Sequence, residues 1–119
     1  MTASDPLRTY QAFAKNGVMA ELNVAEIPYE NGRLRFRYTR KMSSDGARWI
    51  RHGLFVAYHP DGAKASEGQY EEGVEQGVWR DYHENGQLAA EGHYDGGVEV
   101  GQWLYWGPDG RPDAKPSVV

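Results

Sequence analysis

A mainly β fold, built as a row of β-hairpins behind a short N-terminal helix, is what this sequence predicts. Three observations carry the prediction. Leu, Ile, Val and Phe make up only 20 of the 119 residues, yet Trp, Tyr and Phe number 15. So low an aliphatic share warns of disorder, but each ring can bury a large area, and the net charge is only −4. Gly and Pro together number 21, and 12 of the 15 glycines lie between Gly53 and Gly110 at a regular spacing. Many rings, many glycines and few aliphatics point to short strands joined by tight turns, without a thick aliphatic core.

Taken in chain order, Ser4-Asp5-Pro6 is a helix start, with a cap followed by proline in the first turn. The helix runs from Pro6 to Lys15 and ends at Asn16-Gly17. Val18, Ala20, Leu22 and Val24 alternate as in a strand, Asn31-Gly32 is a turn, and Leu34, Phe36 and Tyr38 alternate again. Thr39 to Arg51 breaks the pattern and reads as a longer loop holding Trp49. Residues 1–52 therefore form a capping helix and a degenerate hairpin with its loop, residues 53–111 a repeat array, and residues 112–119 a flexible tail.

The array has a period of 24 residues. Gly53, Gly77 and Gly101 form one column; Phe55, Trp79 and Trp103 a second; Tyr58, Tyr82 and Trp106 a third. Gly62, Gly86 and Gly110 follow, then Gly68 with Gly92, Tyr70 with Tyr94, and Gly73 with Gly97. A fixed period of this length marks a repeat architecture. Each unit reads as one hairpin. In the central one a strand from Gly77 to Tyr82 turns at Glu84-Asn85-Gly86, where Asn-Gly supplies positive φ angles. A second strand runs from Gln87 to Tyr94, and Asp95-Gly96-Gly97 leads into the next unit. Gly68 and Gly92 leave room for a ring from a neighbouring strand to lie on the backbone.

Several chemistries are not expected. Without cysteine there is no thiolate or disulfide chemistry, which suits a reducing, cytoplasmic setting. The N-terminus has no apolar signal core, and no apolar window is long enough to span a bilayer. His59 and His83 share a repeat column, which reads as structural or solvent-facing, and no metal-ligand motif accompanies them. No serine sits in a nucleophile elbow, adjacent Glu71 and Glu72 would point to opposite faces, and the glycines form no phosphate loop. Neither catalysis, a bound metal nor a cofactor is expected.

Binding is the better-supported class. From Arg33 to Arg51 seven basic residues face one acid, a net +6; from Asp61 to Glu99 ten acids face two bases, a net −8. The acidic stretch, with Glu71 and Glu75, would repel a long nucleic acid and suits a basic protein surface. Arg35 and Arg37, on one face of their strand, are candidates for an acidic partner. Of the aromatic columns at least one must pack the sheet, and others should stay accessible as interface anchors. Trp79, Trp103, Tyr58, Tyr82 and Trp106 are the candidates. Open sheet edges allow either a monomer or an edge-paired dimer.

The segments YEEGVEQGVW and YDGGVEVGQW, with NGQLAAEGHY at the 24-residue spacing, resemble the MORN-repeat family, most closely its bacterial variant branch of YwqK-like antitoxin or immunity proteins. The resemblance runs from Gly53 to Gly110. It implies an elongated, single-layer antiparallel sheet and a non-enzymatic protein that neutralises a cognate toxin by direct binding. The alternative it implies is a scaffold that binds membrane lipid head groups or clusters other proteins, through the basic segment from Arg33 to Arg51.

Overall fold

A computed structural model of the chain describes residues 7–13 and 19–113. Among them are nine strands and no helix: β1 Leu7–Phe13, β2 Met19–Pro28, β3 Leu34–Met42, β4 Trp49–Tyr58, β5 Lys64–Glu71, β6 Val74–Tyr82, β7 Leu88–Asp95, β8 Val98–Trp106 and β9 Pro112–Asp113. They form one antiparallel sheet in which every strand pairs with its neighbours in sequence. The Cα extents are 44 × 41 × 27 Å, and the radius of gyration is 16.4 Å. A compact chain of this length would have about 13.5 Å, so the molecule is a single layer with no second sheet to bury it.

Two expectations for the N-terminal half are corrected. Residues 7–13 of the expected helix form β1, in register with β2 from Leu7↔Ala25 to Phe13↔Met19; Pro6, Ala14 and Lys15 lie outside the described residues. The Ser-Asp-Pro cap is a local signal worth about 1 kcal/mol. It loses to the row of backbone groups that β2 would otherwise leave open. The expected loop from Thr39 to Arg51 is mostly strand. β3 runs on to Met42 and β4 begins at Trp49, with Lys41 opposite Ile50. Only a short turn remains, in which Ser43 N–H donates to the Arg48 carbonyl at 2.8 Å. Both strands are lengthened together, which breaks the 24-residue period without breaking the sheet.

Apart from the Ser43–Arg48 turn, the described turns follow two designs. At one end lie the five-residue turns 29–33, 59–63, 83–87 and 107–111. In each the glycine alone has positive φ, for example Gly86 at 89°. Asn85 does not share it, contrary to the expectation for Asn-Gly. Its side-chain oxygen accepts the Gln87 N–H at 2.9 Å instead, and Asn31, Asp61 and Asp109 do the same in their turns. At the other end, Glu72-Gly73 and Gly96-Gly97 are two-residue turns with positive φ at both positions, the combination that matches strand twist.

Besides a one-residue shift beside the five-residue turn, at Ala57/Tyr58 and Asp81/Tyr82, a larger bulge separates one hairpin from the next. Glu67 pairs with Arg80 and Gln69 with Gln76, so Gly68 alone faces Gly77, Val78 and Trp79. The same happens at Gly92 against β8 and at Thr39 against β4. The bulge needs positive φ at Gly77, Gly53 and Gly101, at 79°, 102° and 68°, which explains that glycine column.

Cross-strand partners share a face, so the register sorts the side chains. One face carries the rings. Phe55 lies 5.8 Å from both Phe36 and Tyr38, and 5.4 Å from Tyr70. Tyr70 meets Trp79 edge-on at 5.3 Å, and Trp79 is followed by Tyr94 at 6.0 Å. Tyr94 meets Trp103 at 5.2 Å. This unbroken ladder from β3 to β8 is the core, and edge-to-face contacts of this kind stabilise beyond area alone. Gly68 and Gly92 make it possible: a Cβ on either would overlap the indole of Trp79 or Trp103. The opposite face carries the row Arg37, Val56, Glu67, Arg80, Glu91 and Leu104.

Candidate partner-binding surface

The ring face is electrically divided. At the β3–β4 end, the Arg40 guanidinium lies 4.3 Å from the Trp49 ring centroid. Arg51 lies 5.1 Å from Tyr38 and 5.5 Å from Tyr70. Tyr38, Arg40, Arg48, Trp49, Arg51, Glu72 and Gly73 line an open hollow. Arg40 also donates Nε–H to Asn23 Oδ1 at 3.2 Å, and guanidinium groups stacked on rings in this way recognise carboxylate or phosphate through their N–H edges. Toward the other end the same face turns acidic. Burial, helped by the nearby carboxylates of Glu99, Glu75 and Asp81, holds the Tyr94 hydroxyl above its ordinary pKa.

The opposite face exposes aliphatic side chains among charges. Leu54 is 63% exposed, and Val78, Val100 and Leu104 are exposed as well. Tyr82 donates its hydroxyl to the Glu67 carboxylate, which Lys64 also meets at 3.0 Å. Arg80 and Glu91 pair at 2.6 Å. Burial, with the Glu67 bond second, pushes the Tyr82 hydroxyl up to about 12. The same hydroxyl is the first cause that holds Glu67 below the ordinary carboxylate value of 4.5. The sign follows: Glu67 contributes stability in full above pH 4.5 and loses it as pH falls through its depressed folded value. Chemical denaturation between pH 6 and pH 3 is expected to show a steeper acid loss in the wild type than in Glu67→Gln. Equal acid slopes would remove Glu67 from the account.

The sequence-predicted residues fall into distinct environments. Trp79 is 8% exposed and donates Nε1–H to the Gln69 carbonyl at 3.1 Å, so it serves packing. Trp103 is half-buried on the same face. Tyr58, Tyr82 and Trp106 sit at strand ends, and each offers its carbonyl to the next turn over, to Tyr29 Oη–H, His59 Nε2 and His83 Nε2 at 2.6, 2.9 and 2.7 Å. The histidine column therefore ties neighbouring hairpins together, as its periodicity suggested. Glu75 is half-buried on the ring face opposite Tyr70, whereas Glu71 sits beside the Glu72-Gly73 turn. Arg35 and Arg37 are exposed on β3, with Arg35 4.8 Å from the Phe36 ring. The Arg40–Trp49–Arg51 cluster was missed as a unit because its strands read as loop; its signal was the alternation Trp49, Arg51, Gly53 leading into the first repeat.

Among the described residues no three of His, Cys, Asp and Glu come together as a metal site, and no helix is long and apolar enough to cross a membrane. No curated protein and no solved structure matches the chain. The sequence pattern of the MORN repeat variant matches residues 51–72 and 75–95. Those spans fall on β4–β5 and β6–β7, so two of the hairpins are similar to MORN-variant repeats, a type that suggests a protein- or lipid-binding module.

Proposed function

We propose that this chain is a non-enzymatic protein-binding module, an antitoxin or immunity protein that neutralises a cognate bacterial toxin by direct binding. The observation that supports this best is the divided ring face: one rigid sheet carries arginines over Trp49 and Tyr38 at one end, and Glu75, Asp81 and Glu99 around Tyr94 at the other. Opposite charges at fixed separation select a partner and steer its approach, while half-buried rings slow its departure. A toxin that acts on nucleic acid needs a basic surface, and the acidic end complements one.

The test is to co-purify the chain with the product of its neighbouring gene and to measure growth when both are expressed. A stoichiometric complex and rescued growth are expected, with the association rate falling at least tenfold in Glu75→Lys/Glu99→Lys at low salt. No complex and no rescue would overturn the reading. The hollow lined by Arg40, Arg48 and Arg51 beside exposed Trp49 favours a second reading, a lipid head-group scaffold. Co-sedimentation with anionic liposomes separates the two, because the toxin-binding reading predicts little lipid binding.

A further inference from the structure

The hollow between β3 and β4 brings together residue types that dominate protein interfaces. Trp, Tyr and Arg carry much of the binding energy at such contacts, and Tyr38, Arg40, Trp49 and Arg51 line this one concavity, of about 450 Å³. Trp49 and its cross-strand partner Met42 are each 43% exposed, and Arg48 and Arg51 are exposed beside them. The cations are held in place. Asn23 Oδ1 and the Trp49 ring fix Arg40, and Arg51 lies over both Tyr38 and Tyr70. A group already ordered loses less freedom on binding.

Charge limits what the hollow accepts. Arg40 and Arg51 are direct cross-strand partners, so two like charges stand side by side on the ring face. Such pairs are destabilising, and an anion seated between them relieves the repulsion. The anion must also be compact, because carboxylates border the site. Glu72 lines the hollow and binds Lys41, and Tyr70, beneath Arg51, has Glu75 as its cross-strand partner. An extended polyanion, such as a membrane surface or a nucleic acid, would meet Glu72 and Glu75 on reaching the arginines, and like charges brought together are costly. One carboxylate avoids both, and its two oxygens match the guanidinium fork.

We infer that this hollow is the anchor point for an acidic side chain of the protein partner: an Asp or Glu carboxylate sits between Arg40 and Arg51, and an apolar residue beside it in the partner's sequence covers Trp49 and Met42. Arg48, at the exposed rim, attracts the carboxylate on approach. The partner thus presents an acidic-apolar segment to the β3–β4 end of the sheet while its basic surface meets the acidic end. The inference rests on the protein-binding reading and specifies one contact of that interface.

The probe is the blocked peptide acetyl-Leu-Glu-Leu-amide, titrated at low salt into the isotopically labelled full chain and followed by NMR. Shifts of the Trp49 indole N–H and of the Arg40 and Arg51 Nε–H signals are expected. Binding should be at least tenfold weaker for the Leu-Gln-Leu peptide and for the Arg40→Gln/Arg51→Gln variant. Arg51→Lys, which keeps the charge without the planar fork, should bind at least threefold more weakly, and it carries the test if the double variant does not fold. No shifts at millimolar peptide, or equal binding of the two peptides, would overturn the proposal. So would phosphatidylserine vesicles or inorganic phosphate perturbing the same signals at lower concentration than the peptide, which would give the hollow to a phosphate ligand. A toxin complex unaffected by Arg40→Gln/Arg51→Gln would also overturn it, while leaving the protein-binding reading standing.

Discussion

Trp79→Ala is expected to lower the free energy of unfolding by about 3–5 kcal/mol, a large part of the 5–15 kcal/mol typical of a domain. The indole is 8% exposed and is held by Phe55, Tyr70 and Tyr94 at 5.8, 5.3 and 6.0 Å. In a single layer no second sheet can relax into the gap, so the cavity opens to water and Gln69 loses its partner. Trp103→Ala should cost roughly half as much, because among the described residues its ring has one ring neighbour, Tyr94 at 5.2 Å, and it is less buried than Trp79. Urea denaturation of the two variants checks the ranking. Equal losses would mean that position in the ladder does not govern stability.

Gly68→Ala is the second large effect, expected to cost about 3 kcal/mol, the upper end of ordinary overpacking. Gly68 has no positive φ, so alanine suits its backbone, and the whole penalty comes from the Cβ meeting the Trp79 indole. Gly86→Ala is the contrast. Its φ is 89° and nothing lies within 4 Å of the added carbon, so only backbone strain of about 1–2 kcal/mol applies. If the two variants lost the same stability, and Trp79→Leu did not relieve the Gly68 penalty, steric seating would not be its cause.

Much of this was legible before any coordinates. The spacing of Gly68 and Gly92 against Trp79 and Trp103 announced rings seated on bare backbone, because a strand position without a Cβ beside an aromatic column has few other uses. The periodic His59 and His83 read as structural, and each does bond a neighbouring strand's carbonyl. What the sequence obscured were features set by pairing rather than by local preference. β1 exists because β2 has an edge to fill, against a helix cap that looked sound by itself. β3 and β4 extend past the repeat because each supplies the other's hydrogen bonds out to Met42 and Trp49. Taking that stretch for loop also hid the Arg40–Trp49–Arg51 cluster. The role of Gly53, Gly77 and Gly101 in the bulges could not be read from spacing, since only the register reveals one residue facing three.

The sharpest measurement is the proton chemical shift of the glycine Hα atoms in the intact protein. Rings lying flat on Gly68 and Gly92 must shield those protons, moving both pairs well upfield of the Hα signals of Gly32 and Gly86, which have no ring or other atom within 4 Å of where a Cβ would stand. If Gly68 and Gly92 resonate with the other glycines, the indoles are not seated on the strands, and the packing described for this sheet is wrong.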